Sequence, residues 1–135
     1  MADEVLPGAD SPLALVIDDD PDIRELLLET LGDESILAEA VGPEEAFGAL
    51  HRLVPKVVLL DVRMPVLDGY AILRHIRSDP ILRSSFVVML TGVGGAQEVE
   101  VALERGADDY IRKPFALEEL VARLRRGLKV ANAHR

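Results

Sequence analysis

Asp18 and Asp19 stand side by side just after one apolar run of this sequence, and Asp61, Thr91 and Lys113 follow three others. Carboxylates gathered within a few ångströms repel one another, so at neutral pH they call for a counter-charge. A hard divalent cation with oxygen ligands supplies it, and Mg²⁺ accepts a few carboxylates while completing its shell with water. One ammonium and one hydroxyl beside such an ion suit the oxygens of a phosphoryl group. Taken singly, each acid reads better as a helix cap and Lys113 as half of a surface ion pair. The recurrence of such residues after four apolar runs is what points to one shared site.

Those runs must be strands for the residues to meet. The stretch Lys56 to Gly69 is the clearest. Val57-Val58-Leu59-Leu60 runs straight into Asp61, which suits a strand buried on both faces with its carboxylate at the carboxyl end. Met64-Pro65 then forces an extended or turning backbone, and Asp68 is placed to cap the next helix. Leu13 to Ile17 reads as a first strand ending at Asp18-Asp19-Asp20. Pro21 opens a helix with Ile23, Leu26, Leu27 and Leu31 at helical spacing, and Gly32 stops it. Ser35 to Val41 is a weaker strand, and Glu44 to Val54 a helix. Ile72, Leu73 and Ile76 mark a third helix, and Phe86 to Leu90 a strand ending at Thr91-Gly92. Ala96 to Glu104 is a fourth helix and Ala107 to Ile111 a short strand leading to Arg112-Lys113-Pro114. The last helix begins near Ala116. Five strands alternating with five helices predict an α/β fold, a parallel sheet covered on both sides. In such a sheet all strand carboxyl ends share one edge, where open α/β sheets hold their ligands.

Composition narrows the function. At 135 residues the chain is most simply one domain, with residues 1–12, rich in Pro, Gly, Asp and Ser, as a flexible leader. The absence of cysteine excludes disulfides, thiolate metal sites and cysteine nucleophiles. Met1-Ala2-Asp3-Glu4 lacks the character of a signal peptide, and the longest apolar runs are far too short to cross a bilayer, so a cytoplasmic location without membrane contact is expected. Residues 1–111 carry 8 basic and 22 acidic side chains, whereas 112–135 carry 7 and 2. The acidic body argues against direct nucleic-acid binding by this domain. No Gly-x-Gly-x-x-Gly follows the first strand, which disfavours a dinucleotide fold. His51, His75 and His134 show no metal-ligand spacing and read as exposed helix residues. Gly92, Gly94 and Gly95 suggest a mobile loop.

Val16-Ile17-Asp18-Asp19-Asp20, Asp61-x-x-Met64-Pro65-x-x-Asp68-Gly69, Thr91-Gly92 and Gly106-Ala107-Asp108-Asp109-Tyr110-Ile111-x-Lys113-Pro114-Phe115 together resemble a response-regulator receiver domain. Each motif is weak alone; their order and spacing make the likeness, which spans about Leu13 to Leu128. It implies a flavodoxin-like doubly wound sheet of strand order 2-1-3-4-5, a receiver domain over 13–128, and residues 129–135 as an extension of the last helix. It implies that Asp61 accepts a phosphoryl group from a phosphohistidine of a sensor kinase or phosphotransfer protein. Asp18, Asp19, Asp61 and the backbone carbonyl of Arg63 would hold Mg²⁺. Thr91 and Lys113 would bind phosphate oxygens, Thr91 and Tyr110 would form a switch on the face of helix four, strand five and helix five, and the Lys113–Pro114 peptide would be cis. The chain would be a signalling domain that catalyses only its own phosphorylation and slow dephosphorylation, acting on an output domain or downstream protein.

The alternative is a degenerate receiver that docks proteins without phosphorylation. A haloacid-dehalogenase-like phosphatase is rejected, since it wants an acid two residues after the nucleophile, where Arg63 stands. Asp108, Asp109, Glu119 and Arg123 fit the charged pairing face of transcription-factor receivers, but Val99 and Val101 stand where basic partners belong, against a charge-latched dimer. The stripe Leu117, Leu120, Leu124, Leu128, Ala131 suggests a long helix, frayed because of Gly127, leading to a partner helix in a dimer or in an output domain; a monomer or a weak dimer through this helix is expected. Arg63 and Val93 occupy the two positions able to steer water towards an aspartyl-phosphate. Neither orients water, and Arg63 is expected to lie over the phosphoryl oxygens, so a long-lived phosphorylated form is expected.

Overall fold

The computed structural model describes residues 14–65, 67–92 and 96–133. The leader, His134, Val93 and the Gly94-Gly95 pair lie outside the described residues. Five strands, β1 (Ala14–Ile17), β2 (Ala38–Val41), β3 (Val57–Asp61), β4 (Phe86–Thr91) and β5 (Asp109–Arg112), pair in parallel in the order β2-β1-β3-β4-β5. Helices α1 (Pro21–Asp33), α2 (Ala46–Leu53), α3 (Gly69–Ser78), α4 (Ala96–Glu104) and α5 (Leu117–Ala133) connect and follow them. This is the flavodoxin-like doubly wound sheet.

Strand side chains alternate between two cores. Leu15, Ile17, Val58, Leu60, Val87 and Met89 face α2, α3 and α4, meeting Leu50, Ile72, Ile76 and Ala102. Ala14, Val16, Val57, Leu59, Val88, Leu90 and Ile111 face α1 and α5, meeting Leu27, Leu31, Leu120, Val121 and Leu124. Because both faces are covered, β1, β3 and β4 are apolar at nearly every position, which is why they read so plainly as runs.

Several boundaries move. Serine 35 takes a left-handed backbone (φ 61°) that closes α1, so β2 starts only at Ala38. Pro43–Glu45 is a 3₁₀ turn, its Gly42 amide donating to Glu45 Oε1 (3.0 Å), and the α-helix proper begins at Ala46. The Asp108 amide donates to the Val87 carbonyl (2.8 Å) and its carboxylate accepts from the Val87 amide (2.8 Å), so β5 pairs only from Asp109.

Leu120, Val121 and Leu124 are buried in the chain's own core with Leu128 packed against it, whereas Leu117 at the start of the stripe is exposed. One reading of α5 is corrected. Gly127 does not interrupt α5. It is buried against the Phe86 ring, whose Cδ1 would stand 2.6 Å from an added Cβ, so the lost helix propensity makes room for close packing. The charges expected on a pairing face are likewise used internally. Arg77 Nη2 donates to Asp108 Oδ2 (2.7 Å), while Arg123 Nη1 and Arg126 Nη1 donate to Asp109 (2.6 and 3.2 Å).

Candidate functional site

Asp18, Asp19, Asp61, Thr91 and Lys113 all lie at or just beyond the carboxyl ends of β1, β3, β4 and β5, on one edge of the sheet. The ladder sets their level. Asp61 pairs with Leu90 and Thr91 with Arg112, the Asp18 amide donates to the Val41 carbonyl (3.2 Å), and the Lys113 amide donates to the Thr91 carbonyl (2.7 Å). The Lys113–Pro114 peptide is cis.

Local sequence shapes each loop. Asp20 caps α1 by accepting from the Asp22 amide (2.9 Å), leaving Asp18 and Asp19 outside the capping role. Asp68 caps α3 by accepting from the Tyr70 amide (2.9 Å). Gly69 is required by a close approach: a Cβ there would overlap the Asp61 carbonyl, and its amide donates to the Val62 carbonyl (2.9 Å). The β3–α3 loop therefore folds tightly back over the strand end that carries Asp61.

Asp18 is fully buried and Asp61 4% exposed. One oxygen of each is held by a neighbouring backbone amide. Asp18 Oδ1 accepts from Asp20 (2.9 Å) and Asp61 Oδ1 from Arg63 (3.2 Å). The other oxygens face Lys113, whose Nζ stands 3.7 Å from Asp18 Oδ2 and 3.5 Å from Asp61 Oδ2. These are ion-pair distances, and Asp18 Oδ2 is buried with no hydrogen-bond donor. Burial first, and then the neighbouring Asp18, push the Asp61 carboxyl up to about 6 against the pull of Lys113. Burial also raises Asp18. A single ammonium does not balance this pocket.

Oxygens of Asp18, Asp19 and Asp61 lie within 4.8 Å of one another. An orphaned, buried carboxylate oxygen beside a second buried carboxylate is compatible with a hard cation such as Mg²⁺. Thr91 is buried at the same edge, whereas Tyr110 is half-buried with the Arg123 guanidinium 5.7 Å from its ring centre. Without a phosphoryl group, Arg63 is engaged elsewhere. Its guanidinium reaches α4 and donates to Glu98 Oε2 (3.2 Å). Sequence reasoning missed Arg24, whose Nη1 donates to the Asp18 carbonyl (2.7 Å) and steadies the acidic loop. Its only sequence signal is its place one turn into the helix that Asp20 caps.

Residues 14–125 match the family of response regulator receiver domains. The DNA-binding response regulator MtrA of Mycolicibacterium smegmatis is 40% identical over 116 residues, covering 85% of this chain and 50% of that protein. The receiver domain of NtrX from Brucella abortus superposes with a TM-score of 0.77 at 34% identity, covering 86% of this chain and 98% of that one. Vibrio cholerae chemotaxis protein CheY4 gives 0.77 at 27% identity, covering 84% and 95%. The chain spans about half the length of the curated relatives it matches. The partner expectation, which set direct nucleic-acid contact by this domain aside, is corrected: MtrA is named a DNA-binding response regulator, and the acidic charge here speaks only for the half of such a relative that this chain spans. Among the described residues no helix is long and apolar enough to cross a membrane. With its fold, its sheet-edge acids and a family match over most of its length, this chain belongs to the response-regulator receiver domains of two-component signalling.

Proposed function

We propose that the chain works as a phospho-accepting receiver in which Asp61 takes a phosphoryl group from a phosphohistidine of a sensor kinase. The observation that carries this reading is a pair of buried carboxylates, Asp18 and Asp61, left under-neutralised with one oxygen orphaned. Asp61 Oδ1 is held by the Arg63 amide, so Oδ2 is the atom free to attack phosphorus. The phosphorus–nitrogen bond breaks as the phosphorus–oxygen bond forms, and the imidazole leaves with the electron pair. Lys113, already 3.5 Å from Oδ2, meets the negative charge of the incoming oxygens, and the Thr91 hydroxyl donates to another. Asp18, Asp19, Asp61 and the Arg63 carbonyl would hold Mg²⁺, which supplies further neutralisation of the equatorial oxygens when bound.

The domain is proposed to catalyse only its own phosphorylation and its slow reversal by water. Thr91 drawn towards the phosphoryl group frees space into which Tyr110 turns, giving two packings of the face formed by α4, β5 and α5. Similarity to MtrA supports an output directed at DNA through a further module. The test is incubation with a small phosphodonor and Mg²⁺, followed by acid-stable mass analysis. One acyl-phosphate at Asp61, absent from Asp61→Asn, is expected; label at another residue, or none, overturns the reading.

A further inference from the structure

Away from the sheet edge, α2 and α3 bring together two histidines that lie 24 residues apart. His51 Nε2 and His75 Nε2 stand 2.9 Å from one another, and Asp79 Oδ2 stands 3.8 Å from His51 Nε2. We propose that His51, His75 and Asp79 form a second cation site, suited to a borderline transition ion such as Zn²⁺, that clamps α2 to α3. The donors are chemically distinct from those at Asp61. Two imidazole nitrogens and one carboxylate oxygen suit Zn²⁺, whereas Mg²⁺ prefers oxygen alone.

The geometry is close to what the ion requires. Ligands about 2.0–2.1 Å from a tetrahedral Zn²⁺ lie about 3.3 Å from each other; here two separations are 2.9 and 3.8 Å and one ligand atom from each of the three residues lies within 4.8 Å of the others. His75 lies in the last turn of α3 and Asp79 is the C-cap residue that follows it, four positions on. Their surroundings orient them in the way ligands are oriented. Asp79 Oδ1 accepts from the Ile81 and Leu82 amides (2.8 and 3.1 Å), which leaves Oδ2 for the site. Phe47 packs edge-on against the His75 ring, with centroids 4.9 Å apart. In the metal-free form one imidazole donates its Nε2–H to the Nε2 lone pair of the other. On metal binding the donor ring shifts to its Nδ1–H tautomer, so both Nε2 lone pairs face the ion. Three protein ligands leave a fourth position for water, and the side chains of His51 and Asp79 are 46% and 20% exposed, which gives the ion a way in.

The test is calorimetric titration of Zn²⁺ into the 135-residue chain with millimolar Mg²⁺ occupying the acidic cluster. One Zn²⁺ per chain is expected, with affinity lowered at least about tenfold in His51→Gln and in His75→Gln. The same uptake is expected in Asp61→Asn, and Co²⁺ should give tetrahedral absorption bands that the double variant His51→Gln/His75→Gln loses. Zn²⁺ should also raise the melting temperature of the wild type and leave the double variant unmoved. Absence of uptake, or uptake that survives the double variant or disappears with Asp61→Asn, overturns the proposal.

Discussion

Asp61 and Asp109 are both buried aspartates of this sheet, 4% and 6% exposed, and they live in opposite circumstances. Asp109, at the start of β5, accepts from Arg123 and Arg126 and from the Tyr110 amide (2.9 Å), so its charge is matched twice over. Asp61, at the end of β3, has one backbone amide and an ammonium at 3.5 Å, beside a second buried acid. Burial raises the Asp61 carboxyl to about 6. A buried acid that serves the fold is surrounded by fixed donors, because an unpaired buried charge costs several kcal/mol. One left short of donors keeps that cost in the resting state, and a cation or phosphoryl chemistry can relieve it.

The largest contrast is chemical. Asp61→Asn should lose phosphorylation altogether, whereas Asp109→Asn should keep acyl-phosphate formation within a few-fold. Equal loss in both, measured by phosphodonor labelling, would erase the distinction.

Stability should reverse the order. Asp109→Ala removes the acceptor for two guanidiniums and should lower unfolding free energy by about 2–3 kcal/mol, since Arg123 and Arg126 can turn partly to water. In metal-free protein Asp61→Asn should instead stabilise by about 1–3 kcal/mol at pH 7. Denaturant titration of the two variants checks both signs.

The same carboxyl sets a pH signature. Its folded pKa of about 6 lies above its ordinary 3.8, so between those values the native protein holds a proton that the unfolded chain has released. Metal-free wild type should therefore lose stability relative to Asp61→Asn as pH rises from 4 to 6, with the full difference present at pH 7. A difference that stays flat from pH 4 to 7 would show that Asp61 is not the strained group. Adding Mg²⁺ at pH 7 should raise the wild-type melting temperature by a few degrees, and chelation should reverse it. Asp61→Asn should respond less.

The smallest effect concerns lifetime. Arg63 pairs with Glu98 at the surface, an interaction worth at most about 1 kcal/mol. Arg63→Asn, which introduces an amide able to orient water, should speed loss of label several-fold after the donor is removed. Identical decay in wild type and variant would show that this side chain does not set the lifetime.

The strands and the edge they share were legible because both signals are local. An apolar run followed by a carboxylate needs no distant residue to be read, and parallel pairing aligns such ends. Caps such as Asp20 and Asp68 are equally local, their side chains bonding two residues ahead. Boundaries set by backbone geometry were less visible, as at Ser35, whose left-handed conformation shortens β2. Sequence alone determined the fold class, the strand order through family likeness, and the candidate acids. Tertiary structure alone decided that Gly127 makes room for Phe86, that Asp108 and Asp109 are neutralised within the chain, and that Arg63 turns to Glu98. It also decided that His51 meets His75. The reason is common to all four: each depends on side chains from separate elements whose relative placement is set by packing on the sheet, and no periodicity along the chain encodes it.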